Sequence, residues 1–367
     1  MRLAMNLLES TVLSYINAKY TGVNSLTLSK DEITDLVTKI AADLTIVGNY
    51  NDNLPELDGM DLATGDVIEE YFLDLVMPIA YDASGANTLA PHRPTGRLAS
   101  YSYALDPKNF PITIDTVQQK QYFNSLNDLA EYVTRKLAVL ANSVAMWRYQ
   151  TKLALLGKFA KAAIDLTDNA STFATSTAYA VGAAVKNSNG VVGIVQTAIA
   201  ASNSKSFATL VSEGVISEVA LVETVTAITD TASGEAFIET VKKDAEDADF
   251  AGSKHNLNGA VQGTAPVVMY LKKGIRPVLD VQTLAGAFNQ DKLAFPVTVK
   301  PVRDFGGQES GKVVGLMIDP RGCKLMTNQV TTDNQINAEG HFYNIFQYRK
   351  ETPFYSRNTF IKVYRVA

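Results

Sequence analysis

SLNDLAEYVTRKLAVLANSVAMWRYQTKLALLGKFAK, residues 125–161, decides how the rest of the chain is read. Neither Gly nor Pro interrupts it from Leu126 to Leu156, and Leu126, Leu129, Val133, Leu137, Leu140, Val144 and Trp147 recur at spacings of three and four. Residues so spaced share one face of an α-helix. Ser125 predicts the N-cap, and Asp128 sits in the first turn, where the helix dipole favours negative charge. Gly157 is expected to loosen the last turns. At 1.5 Å per residue the helix is roughly 50 Å long, more than the ~30 Å width of a small domain. It therefore spans a flat, extended subunit or joins an oligomer. Asp128, Glu131, Arg135, Lys136, Arg148 and Lys152 exclude a membrane span. A coiled coil is the alternative, but Trp147 and several Ala residues make an uneven seam and the pattern drifts after Thr151.

Composition sets bounds on function. The 367 residues suffice for two or three domains, with an ordinary apolar fraction of 46% that allows a large core. Cys323 is the only cysteine, which excludes an internal disulfide and fits a cytosolic folding compartment. Asn6, Glu9 and Ser10 break any apolar run after Arg2, so no signal peptide is expected. The net charge of −5 argues against a dedicated nucleic-acid binder, which carries a basic face.

Outward from the long helix, the N-terminal side reads as three amphipathic helices. The first keeps Leu8, Val12, Tyr15 and Ile16 on one side. The second follows a Ser29/Glu32 capping box with Ile33, Leu36, Val37 and Ile40, and the third covers about Asp66–Val76 and is closed by Pro78. Prolines then cluster at 78, 91, 94, 107 and 111. RLASYSYALD (97–106) and FPITIDTV (110–117) read as extended strands, together a long hairpin projecting from the body; an ordinary surface loop is the alternative. Beyond the helix, 165–177 reads as a loop, 178–201 as two strands around an Asn189-Gly190 turn, and 206–228 as helical. Ala236–Phe250 is a helix with Phe237, Ile238, Val241 and Ala245 inward. Its acidic end (Asp244, Glu246, Asp247, Asp249) opposes the dipole, so those side chains are expected to reach water or a neighbour's cations. VVMYL, FPVTVKPVRDF and KVVGLMID read as strands, the second with prolines suited to a sheet edge, and VQTLAGAFN as a short helix. The C-terminus reads as two antiparallel strands around Thr352-Pro353.

No catalytic constellation emerges. Gly306–Lys312 fits the G-x-x-x-x-G-K spacing of a phosphate-cradling loop, but Val313 stands where Ser or Thr is required and a strand follows where a helix is needed. His92, His255 and His341 lie far apart in loops, without zinc-site spacing. No G-x-S-x-G supports a nucleophile, and Cys323 reads as a small buried side chain. The acids at 244–249 lack calcium-loop spacing and read as a solvated helix end. No catalytic, cofactor or metal residue is assigned.

The order of parts resembles the major capsid protein of tailed bacteriophages, with the Hong-Kong-type α+β fold. The likeness is carried by residues 79–117, 125–161, 236–305 and 313–366, most of all by APVVMYLKKGIRPVLDVQTLAGAFNQDKL, KVVGLMIDPRGCKLM and NTFIKVYRV. It implies an N-terminal helical arm over 1–78, a β-hairpin extension loop over 79–120 and a peripheral domain over 121–221 with its spine helix at 125–161. An axial domain over 222–312 and returning strands over 313–367 complete it. It further implies a non-catalytic shell of hexamers and pentamers, built in the host cytoplasm and found in the virion. Its partners would be a portal, scaffolding or decoration proteins, and double-stranded DNA enclosed without sequence-specific binding; no membrane is involved. Arg93, Arg97, Leu98, Tyr101, Tyr103, Lys108 and Phe110 are the expected inter-subunit contacts of the hairpin. An encapsulin-like shell holding protein cargo, and a cytosolic α+β enzyme acting on a phosphorylated metabolite, remain the alternatives.

Overall fold

The computed structural model describes residues 52–62, 67–73, 96–102, 107–115, 126–250, 252–276, 279, 297–306 and 312–367. After a 3-10 turn at Pro55–Leu57 come β1 (Asp58–Asp61), β2 (Val67–Leu73), β3 (Gly96–Ser102) and β4 (Lys108–Asp115). The long helix α1 (Leu126–Asp168) leads to β5 (Ser171–Thr172), β6 (Ala184–Lys186), β7 (Val192–Val195), α2 (Phe207–Ser212), β8 (Ile216–Val219) and β9 (Val222–Val225). Then follow α3 (Thr231–Asp249), β10 (Val268–Lys272), β11 (Thr298–Val302), β12 (Val313–Ile318), β13 (Cys323–Asn337), β14 (Phe342–Tyr355) and β15 (Ile361–Val366). The chain divides into two compact units, the first from residues up to 66, 103–152 and 325–353, the second from 67–102, 153–324 and 354–367.

In the first unit the strand order is β1-β13-β14-β4. β4 runs antiparallel to β14 from Asp115↔Phe342 to Lys108↔Arg349, and β1 lies parallel to β13 beside Leu325 and Thr327. The expected helix face is seen in Leu140 and Val144, both buried. Trp147, expected to be buried with them, is only half-buried. Its ring meets Phe110 edge-on, with centroids 5.7 Å apart, on a strand at the sheet's edge where one flank stays open.

In the second unit a mixed sheet, β11-β10-β12-β15-β9, packs against α3. Phe237, Ile238, Val241 and Ala245 do face inward, onto Met269, Leu271, Met317 and Tyr364. α3 begins five residues earlier than the spacing alone suggested because Asp230 and Ser233 close a capping box. Pro301 stands in β11, an edge strand, where its missing N–H does least harm. A smaller sheet, β5-β6-β7-β8, has its own core of Val185, Val195, Phe207, Leu210 and Ile216. β6 and β7 are the two strands expected around Asn189-Gly190, where Gly190 takes a φ of 82°.

Several local expectations are corrected. α1 does not loosen at Gly157 or stop near Lys161. It continues to Asp168, and Leu153, Leu156, Phe159, Ala160, Ala163 and Ile164 are all buried. The run 206–228 is helical only at α2; the rest forms β8 and β9, whose Val and Ile residues suit a pleated surface. The region around 66–76 is not helical over Val67–Leu73 but strand β2, with Ile68, Glu70 and Phe72 half-buried and Glu69 and Tyr71 exposed, the two-residue alternation of a strand. β3 pairs with β2, from Val67↔Ser102 to Leu73↔Gly96, not with β4. Thr352-Pro353 is no turn, because β14 runs through it to Tyr355. β13 went unrecognised in a polar stretch, TNQVTTDNQIN. The helices expected before residue 43 and at 281–289 lie outside the described residues.

Cys323 is fully buried, and burial pushes its thiol up to about 12. Cys323→Ser is expected to lower stability by ~1–3 kcal/mol, from the hydroxyl placed in an apolar site, as read by the denaturant midpoint.

Candidate assembly surfaces

The β2–β3 ribbon forms a two-stranded sheet hydrogen-bonded to no other among the described strands. It is fixed at one end. Tyr101 is 8% exposed and meets the Phe354 ring edge-on at 5.1 Å. Its hydroxyl donates to Glu70 Oε2 at 2.9 Å, while Ser356 Oγ donates to Glu70 Oε1. Strand alternation puts Glu70 on the same face as Ile68, and with Tyr101 opposite Ile68 the register leaves Glu70 diagonal to Tyr101, within reach of its hydroxyl. Burial first, and then the Glu70 charge, push the Tyr101 phenol up to about 12.

That shift has a sign. The unfolded chain loses the phenolic proton near pH 10 and the folded chain near pH 12, so the stabilisation is complete below pH 10 and is lost as pH rises towards 12. Denaturant unfolding from pH 9 to 12 is expected to show a loss to which Tyr101 contributes up to about 2 kcal/mol. Tyr101→Phe should flatten that slope, at a cost near neutrality of ~1 kcal/mol for the hydrogen bond.

In the first unit, residues 52–58 lie across α1. Lys152 is fully buried and its Nζ bonds Asp52, Asp58 Oδ1 at 2.8 Å and the Leu54 carbonyl at 2.9 Å. One turn earlier, Arg148 reaches Asp58 Oδ1 at 2.7 Å and Glu351 Oε1 at 3.3 Å. Arg349 Nη2 also stands 3.3 Å from Glu351 Oε1. The two Glu351 contacts are charge contacts without hydrogen-bond alignment, since neither Glu351 oxygen accepts a hydrogen bond among the described residues, whereas Arg148 Nη2 does donate to Asp58. Burial pushes the Glu351 carboxyl up against the opposing pull of the two arginines.

A third feature lies at the end of α3. Glu246 and Asp249 reach water as expected, but Asp244 does not. It is 8% exposed, accepting from Tyr364 Oη at 2.8 Å and facing Lys362 Nζ at 3.2 Å. His255 Nε2 lies 3.2 Å from Asp247 Oδ2, and the imidazole ring packs on Phe360 with centroids 4.8 Å apart. Burial, then the Lys362 charge, hold His255 below the usual imidazole range.

The expected contact residues are not gathered on one hairpin. Arg93 and Tyr103 lie outside the described residues. Arg97 and Leu98 stand in β3 opposite Phe72 and Tyr71, and Tyr101 serves as an internal anchor. Lys108 is exposed on β4, and Phe110 packs within its own chain on Trp147. The Lys152 and His255 clusters were missed. Their members come from distant parts of the sequence, 100 residues apart for Lys152 and Asp52 and 120 for Tyr364 and Asp244, and the sole local hint was an ionisable residue on the apolar side of a helix. The Gly306–Lys312 stretch leads directly into strand β12, so no helix N-terminus follows to receive a phosphate.

This architecture, a long helix with a detached ribbon and mixed sheets, has relatives. The family model of the Phi29-like phage major capsid protein matches residues 6–361. The chain belongs to that family. The fold recurs in the capsid structure of Staphylococcus phage Andhra, at 12% identity and a TM-score of 0.55, covering 86% of this chain and 84% of that one. A structure of the head fiber and inner core protein gp22 of native bacteriophage P68 is similar at 12% identity and a TM-score of 0.50, with 86% and 84% covered. No curated protein matches. The Phi29-like capsid protein described here is therefore a structural component of the virion, working by assembly into a shell and not by catalysis. The enzyme and encapsulin readings are not favoured.

Proposed function

We propose that copies of this capsid protein tile a closed shell as hexamers and pentamers around packaged double-stranded DNA, and that each copy overlies its neighbour with the β2–β3 ribbon. The observation that carries this is the ribbon's isolation. Two-stranded sheets are marginal in water by themselves. This one is held at its Tyr101 end, while Tyr71 stands 67% exposed on its outer face. A neighbouring copy would cover that face. Arg93, Arg97, Leu98 and Tyr103, in and beside the ribbon, remain the proposed contacts there, and Lys108 offers an exposed cation on β4. Single exposed ion pairs contribute only ~0–1 kcal/mol, but identical contacts repeat throughout a closed shell. A portal and scaffolding or decoration proteins would complete the head. The net charge of −5 supports enclosing DNA without binding it tightly.

The test is Tyr71→Asp, which puts a charge on the exposed outer face of the ribbon and leaves the Tyr101–Glu70 anchor untouched. The variant is expected to melt like the parent but to yield no closed particles by negative-stain microscopy. Particles of normal size and number from it would defeat the ribbon's assigned role.

A further inference from the structure

We propose that the end of α3 is a zinc-type divalent-cation site formed by Asp244, Asp247 and His255. Three observations support it. One potential ligand atom from each of the three residues lies within 4.8 Å of the others, and Asp247 Oδ2 and His255 Nε2 are 3.2 Å apart. Ligands at about 2.0 Å from a tetrahedral zinc stand about 3.3 Å from one another, so that pair is already spaced to share an ion.

The second observation is independent of the acids. The His255 side chain is 5% exposed, yet Nδ1 has no hydrogen-bond partner among the described residues. Buried polar atoms are normally satisfied, and an orphan asks for water or an ion. His255 also lines a cleft of about 280 Å³ with Asp247, Phe250, Gln262 and Phe360, which gives an ion a way in. With the ion on Nε2, the orphan Nδ1 is the ring nitrogen left to donate to a water, the usual second partner of a ligating histidine.

Charge is the third. Lys362 Nζ sits 3.2 Å from Asp244 Oδ1 and 3.3 Å from Glu223 Oε2. Lys362 thus serves both Glu223 and Asp244, while Asp247 adds a third carboxylate beside His255 and Lys254 lines the same cleft, so the group keeps an excess of negative charge. A divalent ion balances that excess. Lys362 occupies Asp244 Oδ1, so the ion would share Oδ2 with the Tyr364 hydroxyl; a carboxylate oxygen has lone pairs for both. An imidazole among carboxylates selects zinc over magnesium or calcium.

The experiment is calorimetric titration of chelator-treated full-length protein with zinc chloride and, separately, magnesium chloride, with melting temperature read in parallel. One zinc per chain and a raised melting temperature are expected, with no response to magnesium. Asp247→Asn, at a half-exposed position that should not disturb folding, is expected to weaken zinc binding tenfold or more, and His255→Gln likewise. Asp249→Asn, exposed at the same helix end but outside the cluster, should bind as the parent does. Absence of stoichiometric zinc binding, equal binding by Asp247→Asn, or an equal response to magnesium would each overturn the assignment. None of these readouts depends on shell closure, so the result stands apart from the role given to the ribbon.

Discussion

Gly157→Ala is expected to destabilise the capsid subunit by about 3 kcal/mol or more, at the upper end of overpacking costs, although alanine is the better helix former. In an isolated helix the same change would stabilise by roughly 1 kcal/mol. The sign reverses because of what lies beside the helix. A Cβ at position 157 would stand 1.6 Å from the Phe305 carbonyl oxygen and 2.4 Å from that of Gly306. Both obstacles are backbone, so no side-chain rotation relieves them. Gly306 is equally committed, with a φ of 59° and a Cβ position only 3.2 Å from Ala154 Cα. Helix and loop touch main chain to main chain, and Phe305 (1% exposed) is fixed in the core by that contact. Relief requires moving α1 away from residues 305–306, which opens gaps around Leu153, Leu156 and Phe159. Gly263→Ala, where nothing lies within 4 Å of the added carbon, is the control and should fall within about 0.5 kcal/mol of the parent. Denaturant midpoints of the three proteins decide it. A Gly157→Ala subunit as stable as the parent would mean that α1 and this loop are not in backbone contact.

Gly157 also shows why the reading of the sequence succeeded where it did. A long gap-free 3-4 spacing declares a helix whatever surrounds it, so α1 was legible before its packing was known. Its extent was not. The Gly that reads as a weak point in a propensity argument is, in the fold, the residue that lets another backbone approach. β12, a buried apolar run, and β15, read from its two-residue alternation, were also evident, as was α3. β2 was misread because VIEEYFL satisfies both periodicities over so short a span, and the choice falls to its pairing with β3, which no local pattern encodes. β13 was missed for the opposite reason. Its outer half, largely exposed, has no apolar alternation to find, and its strand state comes from β14 alongside.

The candidate surfaces divide in the same way. Tyr101 and Phe110 were expected as inter-subunit contacts, and in the structure they meet Phe354 and Trp147 of their own chain. An aromatic in a polar strand announces a contact without naming the partner. The acids at 244–249 looked uniform in sequence. The fold separates them, because α3 turns Asp244 inward to Tyr364 and Lys362 while Glu246 and Asp249 stay in water. His255 joins them only through the loop that brings it back beneath Asp247.

Lys152→Met is expected to cost about 3–5 kcal/mol, because it leaves the buried Asp52 carboxylate without its cation. Lys152 was read as one of the charges that bar a membrane span, which is true but incidental. Its ammonium is fully buried, and the side chain of Asp52 is only 5% exposed. Methionine fills the same volume, so packing is largely kept and the loss reports on the charge. Asp58 retains Arg148, whereas Asp52 has no second cation among the ion pairs of the described residues. The Leu54 carbonyl loses its donor as well. The segment 52–58 should then release from α1 first, taking Leu54 and Leu57, both at 0% exposure, out of the core. Limited proteolysis should cut there in the variant and not in the parent. The decisive companion is Lys152→Met with Asp52→Leu. Removing both charges removes the desolvation penalty along with the attraction, so the double variant should recover most of the lost stability. Recovery in unfolding midpoint and in protease resistance would show that the single variant fails through an unpaired buried carboxylate. A double variant no more stable than Lys152→Met would instead show that the neutral hydrogen bonds of this segment, from the ammonium to the Leu54 carbonyl and from the Leu54 N–H to Asp52 Oδ1, matter more than the ion pair.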